Sequence, residues 1–108
     1  LGTIFQSKLA VKIVVLNNDF LGMVRQWQEL FFDKRYASTE MVNPDFVAIA
    51  KGYFIEAERV SKRENLATAV KKMIDHDGPY FLEVKVEKEG NVFPMIESGA
   101  CVSKVRLK

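Results

Sequence analysis

A β-branched and almost wholly apolar run, VKIVVL at residues 11–16, decides the fold class of this chain. A run so evenly apolar lacks the alternation of a half-solvated strand. It reads as a strand of a parallel sheet, covered on both faces. Asn17, Asn18 and Asp19 end it with residue types that favour turns and tolerate unusual backbone angles. Residues 21–32 then read as an amphipathic helix, with Val24, Trp27, Leu30 and Phe31 on a broad apolar face.

The remaining segments continue the alternation. Residues 1–8 look like the tail of a helix, and residues 33–42 read as a loop. Asn43-Pro44 signals a helix start, with Asn43 as N-cap and Pro44 at the first helical position. Phe46, Val47, Ile49 and Ala50 then face inward, and Gly52 closes the helix. Residues 55–60 form a short strand. Ser61 and Glu64 have the spacing of a capping box before a helix that buries Leu66, Ala69, Val70 and Met73. Asp77-Gly78-Pro79 stops that helix, residues 80–86 form the last strand, and residues 88–108 form an irregular tail. The pattern predicts one α/β domain with a parallel sheet, right-handed crossovers and flanking helices. Its sheet is expected to be incomplete, lacking N-terminal strands.

Composition narrows the partners. With 108 residues the chain supports one modest core, and 48% apolar with 28% charged residues is ordinary for a globular domain. The net charge is only +2, and Lys62-Arg63 and Lys71-Lys72 sit among acids, so no nucleic-acid partner is expected. No apolar run approaches the ~20 residues of a membrane span, so no membrane partner is expected either. A single cysteine, Cys101, excludes an intrachain disulfide and fits a reduced, cytoplasmic setting. No signal-peptide pattern is present, and an opening on Leu1 within what looks like the tail of a helix suggests a piece of a longer protein.

The corner over residues 11–28 has chemical potential. Ligands of open α/β sheets bind beyond the C-terminal ends of the strands, where Asn17 and Asn18 fall. The next helix aims its N-terminal N–H groups and dipole at the same place, which favours a phosphate. Gly22 permits close backbone approach. An Asn amide oxygen is a hard neutral ligand for Mg²⁺, which bridges phosphates with few protein groups. Asparagine pairs after strands also serve as plain turn formers, and on the residues alone that reading stands beside the metal one. Neither a Gly-x-Gly-x-x-Gly nor a Gly-Lys-Ser/Thr phosphate loop is present.

The stretch VVLNNDFLGMVRQWQELFFDKRY, followed by NPDFVAIAKGY and by GPYFLEVKVEKEGNVFPMIESGA, resembles the large catalytic subunit of acetolactate synthase (acetohydroxyacid synthase). The likeness covers roughly residues 9–100. It implies the back half of a thiamine-diphosphate-binding domain, with thiamine diphosphate and Mg²⁺ as cofactors and a non-redox FAD held elsewhere in the parent. The implied activity condenses pyruvate with a second 2-ketoacid, pyruvate or 2-ketobutyrate, after thiamine-dependent decarboxylation, in branched-chain amino-acid synthesis.

Carried over by position, Asn18 is the side-chain metal ligand and Phe20 offers its backbone carbonyl. Gly22 and Met23 approach the diphosphate, and Trp27 lines the substrate channel, where the family's tryptophan favours 2-ketobutyrate and meets herbicides. The family's Gly-Asp-Gly metal element, its catalytic glutamate and its FAD segments are expected outside this chain. No catalytic residue is therefore assigned here, and the piece alone is expected to be inactive. The resemblance also implies a homo-oligomer with active sites between two subunits, and it leaves open a small regulatory subunit.

Plainer readings stand beside these. Trp27 is a core tryptophan on the residues alone, and the family match reverses that preference. Arg25, Gln26, Gln28 and Glu29 read as a solvated helix face, with subunit contact as the second reading, and Asp19 as pointing to solvent. His76 reads as a partner of a helix C-terminus and Cys101 as a bystander thiol. Two alternatives remain: a related thiamine-dependent carboligase or decarboxylase, and a non-catalytic α/β binding domain.

Overall fold

The computed structural model describes residues 1–108. The chain divides into two compact units, one of Leu1–Asp19 with Val42–Glu87, the other of Phe20–Met41 with Lys88–Lys108.

In the first unit three parallel strands, β1 (Lys12–Asn17), β2 (Glu56–Val60) and β3 (Tyr80–Lys85), lie in the order β1-β3-β2. Lys12 pairs with Tyr80 and Asn17 with Lys85 on one side of β3, and Glu56 with Tyr80 and Val60 with Val84 on the other. The central strand is the most buried: Tyr80, Phe81, Leu82 and Glu83 are all buried, as expected for a parallel strand covered on both faces. The α/β class and the parallel sheet flanked by helices agree with the expectation from sequence.

Helices cover the two faces unequally. Residues Ala50, Ile55, Ala57 and Phe81 form one core, joined by Ile13 and Val15 of β1 and by residues of α1 (Gly2–Gln6) and α3 (Phe46–Gly52). The other core contains Val60, Ala69, Met73, Tyr80 and Leu82, beneath α4 (Arg63–Asp75). That helix packs on β2 and β3. The α4-side residues of β1 are consequently open: Val14 is 49% and Leu16 68% exposed. Burial of β1 on both faces is thus not found, because it is an edge strand beyond the reach of α4.

Two helix starts also differ from their sequence signals. Asp45, not Asn43, is the N-cap of α3 and accepts from the Ala48 N–H at 3.1 Å. Lys62 stands at the N-cap of α4, and no side chain caps it, so the Ser61–Glu64 box does not form. At the other end of α4 the Lys12 ammonium donates to the carbonyls of His76 (2.6 Å) and Gly78 (2.5 Å). Gly78 has φ 108°, a conformation that favours glycine and reverses the chain into β3.

The second unit contains α2 (Gly22–Phe31) and a short antiparallel pair, β4 (Met95–Ile96) with β5 (Val105–Arg106). The pair lies within the segment expected to be an irregular tail. The fully buried residues of α2 are Arg25 and Gln26, whereas Val24 is exposed and Trp27, Leu30 and Phe31 are half-buried. The polar face was expected in solvent. Two of its residues, Arg25 and Gln26, are instead buried, and for Gln26 the partner is backbone: its amide donates to the Val92 carbonyl at 2.9 Å and accepts from the Val92 N–H at 2.8 Å.

Candidate functional site

Asn17 is the last residue of β1, and its side chain is buried. Its Nδ2 donates to Glu83 Oε1 at 2.7 Å, and its Oδ1 accepts from the Asp19 N–H at 3.0 Å. This bond to the backbone two residues on is an Asx turn. Asn43 Nδ2 donates to the same Oδ1 at 3.0 Å and to Asp19 Oδ1 at 3.2 Å. Asn43 therefore ties the turn instead of capping α3. Asp19 has φ 56°, in the left-handed region that Asp tolerates better than most residues.

The charges around the turn are paired. Asp19 accepts from the Lys85 ammonium, which lies at the end of β3. That bond is the main reason its carboxyl is held below the ordinary value, against an opposing contribution from burial. Asp19 is thus an ion-pair partner in the turn and does not simply point to solvent. Beneath the turn, Glu83 is 1% exposed. Its Oε2 accepts from Arg59 Nε at 2.6 Å, and the same guanidinium reaches Asp45 at 3.0 Å. The hydrogen bond to Glu83 is the first cause that raises the Arg59 pKa above its ordinary value.

Asn18 follows Asn17 in this unit and is half-buried. The other expected site residues lie in the second unit. Phe20 forms a β-bridge with Glu40, and the neighbouring Leu21 N–H donates to the Thr39 carbonyl at 2.8 Å. The Arg25 guanidinium lies 5.7 Å from the Phe20 ring centroid and 4.8 Å from that of Tyr36, while pairing with Glu29 at 2.8 Å.

Gly22 and Met23 are the first two residues of α2, whose N-cap, Leu21, supplies no side-chain cap. First-turn N–H groups without such a cap are available to an oxyanion. Met23 is 53% exposed. Trp27 is half-buried, tilted against Phe31 with ring centroids 5.0 Å apart. Met23 and Trp27 are four apart on one helix and so share a face. The structure brings Gly22, Met23 and Trp27 onto one helix.

The donor set can be tested for a metal. No three His, Cys, Asp or Glu side chains cluster to hold an ion. The expected donors are neutral oxygens, the Asn18 amide in the first unit and the Phe20 carbonyl in the second. Such donors fit Mg²⁺, which takes much of its coordination from phosphates and water. A separate groove of about 620 Å³ lies at the C-terminal ends of β2 and β3, lined in part by Val60, Lys62, Leu66, Val84 and Lys85. It contains none of the expected site residues.

Sequence reasoning missed Glu83, Arg59, Asn43 and Lys85 as supports of the turn. Glu83 had a signal: it is a lone acid inside the apolar run YFLEV. Asn43 was masked by a stronger local pattern, Asn-Pro before an apolar helix.

Residues 1–84 match the family model described as thiamine pyrophosphate enzyme, C-terminal TPP binding domain. Among curated relatives, the acetolactate synthase isozyme 2 large subunit of Escherichia coli (strain K12) is 41% identical over 106 residues, 97% of this chain and 19% of that protein. The mitochondrial acetolactate synthase of Schizosaccharomyces pombe is 44% identical over 99 residues, 92% of this chain and 15% of that protein. The chloroplastic acetolactate synthase 2 of Zea mays is 46% identical over 101 residues, 86% of this chain and 16% of that protein. Among solved structures, the thiamine diphosphate-dependent 4-hydroxybenzoylformate decarboxylase of Rhodococcus jostii RHA1 aligns with TM-score 0.70 at 28% identity, covering 80% of this chain and 16% of that one. The chain spans less than a fifth of the length of each of these proteins.

Proposed function

Since this chain belongs to the thiamine pyrophosphate enzymes, through their C-terminal TPP-binding domain, we propose that it forms the diphosphate-side wall of an acetolactate synthase. The strand–turn–helix corner carries this reading. A neutral Asn18 oxygen follows β1, and the start of α2 without a side-chain cap lies a few residues on. Identity of 41–46% to the acetolactate synthases of three distant organisms supports the choice of reaction.

In this reading Asn18 and the Phe20 carbonyl hold Mg²⁺. The Gly22 and Met23 amides, at the positive end of α2, receive the diphosphate. Trp27 walls the substrate channel and favours 2-ketobutyrate as the acceptor. Thiamine diphosphate supplies the electron sink for decarboxylation and carbon–carbon bond formation between pyruvate and a second 2-ketoacid. The chain's own residues position and neutralise, and none is assigned as an acid or base. The 108 residues alone are therefore proposed to be inactive. FAD, a partner subunit that completes the active site, and any small regulatory subunit are proposed to bind outside this chain, in a cytoplasmic enzyme.

The fold likeness to a thiamine diphosphate-dependent decarboxylase favours one second reading, simple decarboxylation of a 2-ketoacid. Assay of the full-length protein with pyruvate separates the two. Acetolactate is the expected product. Acetaldehyde without acetolactate overturns the proposed reaction in favour of the second.

A further inference from the structure

We propose that Glu83 is a positioning residue for the metal corner: its buried carboxylate sets the orientation of the Asn17 amide, and with it the turn that presents Asn18. This rests on the reading of the corner as a Mg²⁺–diphosphate wall.

The argument begins with cost. A carboxylate in the centre of a parallel sheet is expensive to desolvate, and an apolar residue of similar size is often as stable there. Glu83 is 1% exposed, on the middle strand, in the same row as Val15 and Arg59. Its two oxygens are used on two sides. Oε2 accepts from Arg59 Nε at 2.6 Å, and Oε1 accepts from Asn17 Nδ2 at 2.7 Å.

An ionised carboxylate only accepts hydrogen bonds, whereas a carboxamide has one accepting and one donating end. Glu83 therefore requires the NH₂ end of Asn17. The oxygen end must then face the opposite way, where it accepts from the Asp19 N–H at 3.0 Å and from Asn43 at 3.0 Å. Both contacts close the turn in which Asp19 takes φ 56°. Asn18, the proposed ligand, sits between the two residues this relay holds.

A glutamine at position 83 breaks the logic without changing its size. Arg59 only donates, so it takes the new carboxamide oxygen. The NH₂ end is left against Asn17, which must flip. Its own NH₂ then opposes the Asp19 N–H, donor against donor, and the turn loses its closing bond.

The test uses the full-length protein with thiamine diphosphate and reads metal binding, not turnover. For Glu83→Gln the Mg²⁺ affinity measured by calorimetry is expected to weaken about tenfold, the size typical of lost supports behind metal ligands. The melting temperature of the cofactor-free protein is expected to fall as the turn loses its closing bond, so affinity is measured well below the melt of the variant. With Mn²⁺ in place of Mg²⁺, the electron paramagnetic resonance line shape at saturation is expected to change. Asn17→Ser removes the carboxamide while leaving Glu83 paired with Arg59, and it is expected to give the same changes in affinity and line shape, so the test survives if Glu83→Gln does not fold. Unchanged affinity and line shape in a folded variant overturn the inference. If the unsubstituted protein itself binds no Mg²⁺ with thiamine diphosphate, the reading of the corner fails and this inference with it. Normal binding by the parent alongside unaltered variants sinks the inference alone.

Discussion

Asp19 shows how far single residues can be read from the sequence alone. The pattern Asn-Asn-Asp after a strand identified a turn, and the structure has one, with Asp19 in the left-handed region. Its partners were not legible, because Lys85 and Asn43 are distant in sequence and meet it only through the parallel register. The Lys85 ammonium depresses the Asp19 carboxyl pKa. A depressed folded-state pKa contributes stability above the unfolded carboxylate value, and that stability is lost as pH falls through the folded one. Asp19→Asn should therefore lower the melting temperature at neutral pH, and the difference from the parent should vanish in acid. Thermal melts at several pH values read this directly. Trp27 carries a second prediction at the same scale. Trp27→Leu in the full-length protein should cut the preference for 2-ketobutyrate over pyruvate by about tenfold, the worth of one well-packed methylene. Competition assays with both acceptors measure the ratio.

The elements were legible wherever burial is apolar. Each strand of the parallel sheet appears within a residue or two of its sequence signal, because β-branched and aromatic runs are what a covered parallel sheet accepts. α2 was placed correctly, but its buried side was misjudged. A helical apolar stripe presumes an apolar neighbour, whereas here the neighbour is the backbone around Val92, which requires hydrogen bonds. Gln26, 1% exposed, supplies both. Truncation at Gln26 should leave a buried donor and acceptor unsatisfied, at about 1–3 kcal/mol for such a loss. Gln26→Ala should show this in urea unfolding, together with faster hydrogen exchange at the Val92 amide. The capping errors have a similar origin. Asn43 and Ser61 are good local caps, yet Asn43 is recruited by the Asn17 turn and the turn of α4 begins two residues past Ser61.

At the scale of the whole chain, fold class and family were both readable, the first from alternation of elements and the second from the joined motifs around Asn18, Trp27 and Pro94. The face of β1 was not, because the sequence of a strand says how apolar it is but not what covers it. Val14 and Leu16 stand exposed on an edge strand. Exposed apolar edges promote pairing between chains. The 108-residue chain on its own should therefore self-associate with rising concentration, and Leu16→Lys should suppress this. Light scattering over a concentration series checks both statements, and a clean monomer throughout would count against the first.

The central claim is that the corner after β1 holds a metal-bound diphosphate through Asn18. Calorimetric titration of thiamine diphosphate, with Mg²⁺, into the full-length protein and its Asn18→Ala variant tests it most directly. The account predicts Mg²⁺-dependent binding by the parent, weakened at least about tenfold in the variant. Equal affinity in the two proteins would contradict it.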